Sequence, residues 1–215
     1  MDENSWKGLL AAALSIFDDL ESRGVGAPEV SLGGGTVLMM RFRHRLSRDI
    51  DLSPHDARWL AYLTPRLNEH VAAMALDYSE QANSVKIALA GGDVDFIVSG
   101  TVTGDVPIET LEFRGRRVPL DTSAEILAKK LYFRAALLKP RDVFDLVATH
   151  RADPPAAARA LEASAPRRPE QRRRLEALKQ APPSTLEKDI LCLGDFRELL
   201  PALISDAIAL LEAAP

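Results

Sequence analysis

The sequence is poor in several features that define whole classes of protein. Cys192 is its single cysteine, which excludes an internal disulfide and a cysteine-rich zinc site and fits a reducing compartment. The apolar stretch at 8–17 is far too short for a membrane span and has no basic segment before it. These shortages predict a cytoplasmic protein with no signal peptide and no membrane partner.

The chain as a whole also has no large excess of either charge. Lys and Arg total 27 and Asp and Glu 31, which gives a formal net charge of −4 at pH 7. Such a molecule does not attract nucleic acid over its whole surface, although a local basic patch can. Residues 151–179 contain eight Lys or Arg against four Asp or Glu. This run indicates either a solvated helix face or a surface that contacts RNA phosphates.

The most informative stretch of the chain is 31–53, SLGGGTVLMMRFRHRLSRDIDLS. Glycines 33–35 allow positive φ angles and a close approach to a phosphate, and a helix that begins there would point N–H groups at the anion. Asp49 and Asp51 fit a strand that presents both carboxylates on one face. Carboxylates in such a position hold Mg²⁺ over a triphosphate.

Both parts of this stretch have an ordinary alternative interpretation. A glycine run is typical of a tight turn, and Asp-x-Asp is typical of a solvated strand face or a loop. Because the two occur in this order and close together, they favour a site for a nucleoside triphosphate (NTP) with Mg²⁺, or with Mn²⁺ in its place.

The residues of these motifs resemble the motifs of a known family. GGGTVLMM followed by HRLSRDIDLS is similar to the AbiEii-type nucleotidyltransferase toxins of bacterial toxin–antitoxin systems, in the superfamily that shares the DNA polymerase beta catalytic core. Residues 128–146 resemble the downstream motifs of the family, a lysine on a helix followed by Arg-Asp-x-x-Asp-Leu. The resemblance covers 29–53 and 124–147.

The resemblance implies an α+β fold with a polymerase-beta-like core, in which helices flank a mixed sheet. We expect this core with an N-terminal helix at 1–120 and a helical C-terminal domain at 121–215. Alternating residues predict strands around Gly91-Gly92, which is the expected hairpin turn. Ser53-Pro54 predicts a helix start, Thr122 with Glu125 a capping box, and Leu186 the approximate start of a terminal helix that Pro201 kinks or interrupts.

The resemblance also implies roles for the acidic residues. Asp49 and Asp51 are expected to hold the metal, with a third carboxylate on a neighbouring strand. Asp95 is the natural candidate for that carboxylate, and Asp93 the alternative. Asp142 and Asp145 lie three residues apart on one helix, and one of them is expected to position the lysine or to serve the catalytic site.

The phosphates need positive charge and backbone N–H groups. Lys130 matches the lysine of the family better than Lys129 because it directly precedes Leu131, and Arg134 shares its helix face. His44 is expected to form hydrogen bonds near the phosphates rather than to bind metal, because no second histidine stands at ligand spacing. The expected nucleotide-binding residues are Gly34, Gly35, Thr36, Arg45, Ser47, Lys130 and Arg134.

The resemblance implies transfer of a nucleotide from an NTP to an acceptor hydroxyl, with release of pyrophosphate. In the family this chemistry usually belongs to a toxin countered by a separately encoded antitoxin, and some members modify the 3′ end of tRNA. A toxin acting on tRNA is therefore the leading hypothesis. The alternatives are an enzyme that modifies a protein or a small molecule, and a non-catalytic NTP-binding protein of the same fold.

Overall fold

The structure is a computed structural model that describes residues 4–182, 184–185, 188 and 190–214. The chain forms two compact units. The first consists of 1–36, 47–100 and 107–121, and the second of 37–46, 101–106 and 122–215. Each unit therefore draws on several stretches of sequence, and the boundary expected near residue 120 stays a prediction. Among the described helices, none combines the length and the apolar character that crossing a bilayer requires.

The first unit is built on a seven-stranded mixed sheet in the order β3-β4-β5-β2-β1-β7-β6. The pairs β2–β5 and β1–β7 are parallel, and the other neighbours are antiparallel. This sheet and the helices of the second unit confirm the predicted α+β class. The strands are β1 Val30–Gly33, β2 Ile50–Pro54, β3 Asp77–Gln81, β4 Ser84–Leu89, β5 Gly92–Ile97, β6 Glu109–Phe113 and β7 Arg116–Leu120.

The two faces of this sheet differ because apolar and polar residues alternate along the central strands. In β2 and β5 the side chains of Ile50, Leu52, Val94 and Phe96 are buried, whereas the aspartates between them are only partly buried. Helix α1, Trp6–Ser22, packs on the apolar face, where the rings of Phe17 and Phe96 lie 6.2 Å apart. The carboxylates consequently share the opposite face of the sheet.

Short helices follow β2 in the first unit. Ser53 and Pro54 still belong to the strand, so the prediction that they begin a helix is wrong. A 3₁₀ turn starts at Ala57 instead, where the Asp56 side chain accepts a hydrogen bond from the Arg58 N–H. The helices α3, Leu60–Leu63, and α4, Glu69–Met74, come next.

The second unit is helical. Helix α2, Gly34–Phe42, begins on residues of the first unit and continues into the second. The other helices are α5 Ser123–Phe133, α6 Pro140–Ala152, α7 Pro154–Ala163, α8 Arg168–Lys179 and α9 Leu203–Ala213. Pro201 lies near the end of a 3₁₀ segment, Gly194–Ala202, that precedes α9, and so marks a break. The helix start expected near Leu186 lies outside the described residues.

Only half of the capping box expected at α5 forms. The Thr122 hydroxyl accepts a hydrogen bond from the Glu125 N–H at 3.1 Å. The Glu125 carboxylate instead accepts hydrogen bonds from the N–H groups of Val102 and Thr103, at 3.0 and 2.8 Å. Glu125 therefore holds the 101–106 segment within the second unit.

Candidate active site

The turn from β1 into α2 needs glycine at its first position. Gly34 has a φ of +69°, which an L side chain adopts only with strain. A Cβ atom at this position would also overlap the carboxylate of Asp51. The backbone at the start of α2 therefore lies directly against an acidic side chain of β2, and Gly35 follows as the next residue of the helix.

Strand pairing aligns one row of residues across four strands. Gly33 of β1 pairs with Asp51 of β2, which pairs with Asp95 of β5. Asp95 in turn pairs with Lys86 of β4. Paired residues present their side chains on the same face, so the carboxylates of Asp51 and Asp95 are neighbours, as required of the predicted third carboxylate.

Burial and the negative charge of Asp51 raise the pKa of Asp95 to about 6. One cation opposes this effect, because Lys86 Nζ lies 3.3 Å from an oxygen of Asp95 and 2.7 Å from one of Asp93. Burial disfavours the Lys86 ammonium, but the hydrogen bond to Asp93 and the two negative charges raise its pKa overall. The negative charge on this part of the sheet is thus only partly compensated.

Asp49 lies just before β2, and hydrogen bonds hold both its side-chain carboxylate and its main-chain carbonyl. Its carboxylate accepts a hydrogen bond from the Asp93 N–H at 3.3 Å. Its main-chain carbonyl accepts one from the buried Thr36 hydroxyl at 2.6 Å. Thr36 therefore ties the first turn of α2 to the segment that leads into β2. We call Asp49, Asp51, Lys86, Asp93 and Asp95 the sheet cluster.

The sheet cluster offers the ligand type that Mg²⁺ takes. Within the part of the chain that the structure describes, no three acidic, histidine or cysteine side chains converge as a complete metal site. That is compatible with Mg²⁺, which commonly binds one or two carboxylates and completes its shell with water and substrate phosphates. The raised pKa of Asp95 fits such a site, because a cation would relieve its repulsion with Asp51.

A second set of charges lies inside the second unit and is centred on Asp145. This fully buried carboxylate accepts two hydrogen bonds from the Arg45 guanidinium, at 2.6 and 2.8 Å. His44 Nε2 lies 2.7 Å from one of its oxygens, and Lys130 Nζ lies 2.9 Å from the other. Burial alone would raise the pKa of Asp145, but the charges of Arg45 and Lys130 and the two hydrogen-bonding side chains hold it well below its usual value.

Asp142, one turn earlier on α6, continues the same network. Lys130 Nζ lies 3.1 Å from Asp142 Oδ1, and Arg134 Nη1 lies 3.4 Å from the same oxygen. Burial opposes the charged form of Asp142, but the two cations lower its pKa overall. We call this network the helix cluster; it consists of His44, Arg45, Lys130, Arg134, Asp142 and Asp145.

The structure gathers the predicted site residues into these two groups. In the first unit, Gly34, Gly35, Thr36 and Ser47 accompany the carboxylates, and Ser47 is half-buried in the segment before β2. In the second unit, Lys130 and Arg134 do share a helix face, which they direct at Asp142. Arg45 is buried, and its guanidinium is engaged by Asp145 and by the Leu46 carbonyl.

Sequence reasoning missed Lys86 because it placed the hairpin turn one residue too far along the chain. The β4–β5 turn is Ala90-Gly91, which sets Lys86 opposite Asp95. A turn at Gly91-Gly92, as expected from the sequence, would have placed Ala88 rather than Lys86 opposite Asp95. His44 forms a hydrogen bond with the buried Asp145, a partner that the sequence did not predict, and its expected place near the phosphates stays a prediction.

Comparison with known proteins places the chain in a family. Residues 17–211 match the family described as "Nucleotidyl transferase AbiEii toxin, Type IV TA system". The search of curated proteins finds no significant match. Among solved structures, the solution structure of the antibiotic-resistance factor ANT(2'')-Ia is similar, with 16% identity, coverage of 83% of this chain and 97% of that chain, and a TM-score of 0.38. Because the family match spans nearly the whole sequence, the chain belongs to the AbiEii nucleotidyltransferase toxins of type IV toxin–antitoxin systems.

Proposed function

We propose that this toxin is an Mg²⁺-dependent enzyme that transfers a nucleotide from an NTP to a hydroxyl of tRNA. Family membership itself makes the chain a nucleotidyltransferase with an NTP substrate and an antitoxin partner. The metal, the acceptor and the site residues are our proposals. The pairing of Asp51 with Asp95 is the observation that carries the metal and its site, and the basic run at 151–179 is the observation that favours an RNA acceptor.

Two carboxylates on neighbouring strands repel each other unless a cation lies between or beside them. Asp51 and Asp95 are partly buried and directly paired, and Lys86 compensates only part of their charge. A protein gains nothing in stability from such an arrangement. A bound cation explains it, and we propose that Mg²⁺ would be held by two of the three carboxylates of Asp49, Asp51 and Asp95.

Bound Mg²⁺ would neutralise triphosphate oxygens and orient the α-phosphate for in-line attack. Gly34 and Gly35 contribute backbone N–H groups at the start of α2, and the missing Cβ of Gly34 leaves room beside Asp51. Thr36 holds Asp49 in place through its carbonyl. We further propose that Arg45 and Ser47 belong to the nucleotide-binding set, Arg45 through its hold on Asp145.

In the second unit, Lys130 and Arg134 are proposed to bind phosphate. Two N–H groups of the Lys130 ammonium are directed at Asp142 and Asp145, which leaves the third for a phosphate oxygen. The Arg134 side chain is 40% exposed and can reach an anion from solvent. Asp142 and Asp145 act in this proposal by fixing the charge and direction of Lys130.

The proposed reaction balances without a covalent enzyme intermediate. The acceptor hydroxyl oxygen forms a bond to the α-phosphorus, and the bond from that phosphorus to the bridging oxygen breaks. Pyrophosphate leaves with the electron pair, and the hydroxyl proton is released to solvent. Catalysis then depends on positioning and charge, which the described residues supply.

The test is incubation of the purified protein with each α-³²P-labelled NTP, Mg²⁺ and total bacterial tRNA. We expect label on RNA with the wild type and none with Asp51→Asn. Asp77→Asn is the matched control, because Asp77 is exposed on the edge strand β3. Label on RNA that survives in Asp51→Asn would contradict the site. Label only on protein would reassign the acceptor.

A further inference from the structure

A short segment of the helix cluster is paired with a stretch near the C-terminus. The Leu193 N–H donates a hydrogen bond to the His44 carbonyl at 2.9 Å, and the Leu46 N–H donates one to the Leu191 carbonyl at 2.7 Å. Between these two bonds the paired stretches form an antiparallel bridge. We call residues 191–193 the C-terminal strap. The strap fixes the backbone that carries the His44 side chain.

Three phenylalanine rings contact the fully buried His44 ring. Phe144 of α6 stacks on it, with centroids 5.9 Å apart and an angle of 12°. Phe42 at the end of α2 and Phe196 just beyond the strap meet it edge to face, at 6.5 and 6.2 Å. The Arg151 guanidinium lies 5.3 Å from the centroid of the Phe196 ring and holds that ring in turn. These neighbours leave the His44 ring little freedom to turn.

The two ring nitrogens of His44 differ in their hydrogen bonding. Nε2 lies 2.7 Å from Asp145 Oδ1. Because an ionised carboxylate only accepts hydrogen bonds, the ring hydrogen belongs on Nε2. Nδ1 is buried and has no hydrogen-bond partner among the described residues. A buried polar atom without a partner costs stability, and a phenylalanine in this place would avoid that cost. The histidine is therefore explained by its bond to Asp145 rather than by packing.

That bond belongs to the set of contacts that orient the Asp145 carboxylate. His44 Nε2 and Arg45 Nε both contact Oδ1, and Arg45 Nη2 contacts Oδ2 at 2.8 Å. Lys130 Nζ lies 2.9 Å from the same Oδ2. Three bonds from His44 and Arg45 thus fix where Oδ2 lies, and the position of Oδ2 helps to fix the direction of the Lys130 ammonium.

We propose that His44 is a positioning residue for the phosphate-binding lysine, and that the C-terminal strap and Phe196 hold His44 in place. This inference rests on the proposed function, in which Lys130 binds a phosphate of the NTP. It adds two parts to that site. One is a buried side chain that contacts no substrate, and the other is a stretch near the C-terminus on which the direction of Lys130 depends.

The role of the His44 hydrogen bond is tested by replacing the ring in two ways. His44→Phe keeps an aromatic ring and removes the donor, whereas His44→Gln keeps an N–H group that can reach Asp145. The transfer rate is measured against NTP concentration with Mg²⁺ and tRNA, at a temperature at which circular dichroism shows every variant to be folded. Because a small displacement of a positioned group costs about 10- to 100-fold in rate, we expect a loss of that size in kcat/KM for His44→Phe. His44→Gln should recover most of it.

His70→Phe is the matched control for this test. His70 also forms a side-chain hydrogen bond, 3.2 Å long and to Ser15, but it lies on α4 in the first unit. The control should change Tm without changing kcat/KM, which is the behaviour of a histidine with a structural role alone. Wild-type kcat/KM in His44→Phe, or equal losses in His44→Phe and His44→Gln, would overturn the positioning role.

The contribution of Phe196 is tested with the helix cluster left unaltered. Loss of an edge-to-face ring contact corresponds to an effect of about two- to tenfold, so we expect a decrease of that size in kcat/KM for Phe196→Leu. If Phe196 acts through His44, the same change should have no further effect in the His44→Phe background. Phe113→Leu is the matched control, because Phe113 is also half-buried and its ring lies 6.1 Å from that of Trp6 in the first unit. No loss in Phe196→Leu, or multiplied losses in the double variant, would overturn this part.

The outcomes also separate this inference from the proposed function. If the wild type labels tRNA and the His44 and Phe196 variants label it equally well, the inference is wrong and the function stands. If the wild type transfers no nucleotide, the proposed function is wrong, and equilibrium dialysis with each labelled NTP and Mg²⁺ then decides the inference. Weaker binding by His44→Phe than by the wild type and His44→Gln would support it. Equal or absent binding would overturn it.

Discussion

The sheet cluster and the helix cluster both combine carboxylates with cationic side chains, but in opposite balance. In the sheet cluster, four carboxylates face one ammonium, and burial together with Asp51 raises the pKa of Asp95 to about 6. In the helix cluster, two carboxylates face two guanidinium groups and an ammonium, and the pKa values of both acids are lowered. The sheet cluster therefore has negative charge that a bound cation could balance. In the helix cluster the charge of the carboxylates is balanced by cations of the cluster itself.

This difference indicates different roles for acidic residues that belong to one set of family motifs. Carboxylates with uncompensated charge can bind a ligand cation at little cost. Carboxylates that are buried and paired mainly fix the position of their partners. Removing one of them leaves the partner charges buried without a counter-charge. We therefore expect substitutions in the helix cluster to affect stability first and those in the sheet cluster to affect binding first.

The largest effect is expected for Asp145→Asn. This change leaves Arg45 and Lys130 buried beside a neutral amide, so the free energy of unfolding should fall by about 3–5 kcal/mol. Urea unfolding measures it, with the exposed Asp195→Asn as control. A loss below about 1 kcal/mol, the range of surface pairs, would contradict the contrast between the clusters.

The pH dependence of the free energy of unfolding provides a second test of Asp145, because the direction of its pKa shift fixes the pH range in which Asp145 stabilises the fold. The folded-state pKa of Asp145 lies well below the usual value of 3.8 for an aspartate. Its stabilising contribution is therefore complete above that value and is lost as the pH falls through the folded pKa. Asp145→Asn should flatten the acid limb of the wild-type stability curve, and an unchanged limb would contradict this.

Gly34→Ala should have the next largest effect, because it combines two costs. The positive φ alone costs about 1–2 kcal/mol for a residue with a Cβ, and overlap with Asp51 adds to it. Gly24→Ala is a matched control, because Gly24 has a φ of +75° and open space around it. Thermal unfolding should show a larger loss for Gly34→Ala, and nucleotide transfer should fall only in that variant. Equal losses would show that the contact with Asp51 is unimportant.

A smaller effect is expected for Asp95→Asn and concerns metal binding. The folded-state pKa of Asp95 is raised from 3.8 to about 6, so the charged side chain destabilises the metal-free fold above that pH and the penalty disappears as the pH falls. The variant should raise the metal-free Tm at pH 8 by about 2 °C or more and should remove the Tm increase caused by Mg²⁺.

The wild type provides the contrast for this experiment. Its Tm increase with Mg²⁺ should be larger at pH 8 than at pH 5, where Asp95 is mostly protonated. An Mg²⁺ effect that is equal at both pH values, or that persists in Asp95→Asn, would show that Asp95 does not hold the metal.

The smallest effect is expected for Lys86→Gln. Lys86 is 43% exposed, so solvent screens its attraction to Asp93 and Asp95. Its removal should lower the Mg²⁺ concentration needed for half-maximal activity by about two- to fivefold. Lys7→Gln, at an exposed residue of α1, is the control. A higher Mg²⁺ requirement would show that Lys86 supports the metal site rather than competing with the metal.

Local sequence patterns predicted the parts of the structure that depend on neighbours in sequence. Alternation in Asp49–Leu52 predicted the strand that carries Asp51, and the glycine run predicted the turn before α2. The prediction of strand register was wrong where a shift of the turn by one residue changes which residues are paired. Moving the β4–β5 turn by one residue changes the partner of Asp95 by two, because a hairpin changes on both strands at once.

The helix cluster could not be assembled from the sequence, because its contacts are distant along the chain. Arg45 and Asp145 are 100 residues apart, and no spacing rule connects them. For the same reason the sequence left open which acid of α6 has which role. Both acids are buried in the fold, and they differ in their partners, because Asp145 has four hydrogen-bonding contacts from three side chains.

The bond between Arg45 and Asp145 has a consequence for synthesis of the toxin. A growing chain emerges from the ribosome from its N-terminus, so 100 further residues must be made after Arg45 before Asp145, which accepts its hydrogen bonds, is present. Closing so long a loop is slow compared with forming local helices. A polypeptide cut short before α6 would lack both acids of the helix cluster. Premature termination should therefore give products that are cleared by proteases rather than poison the cell that makes them.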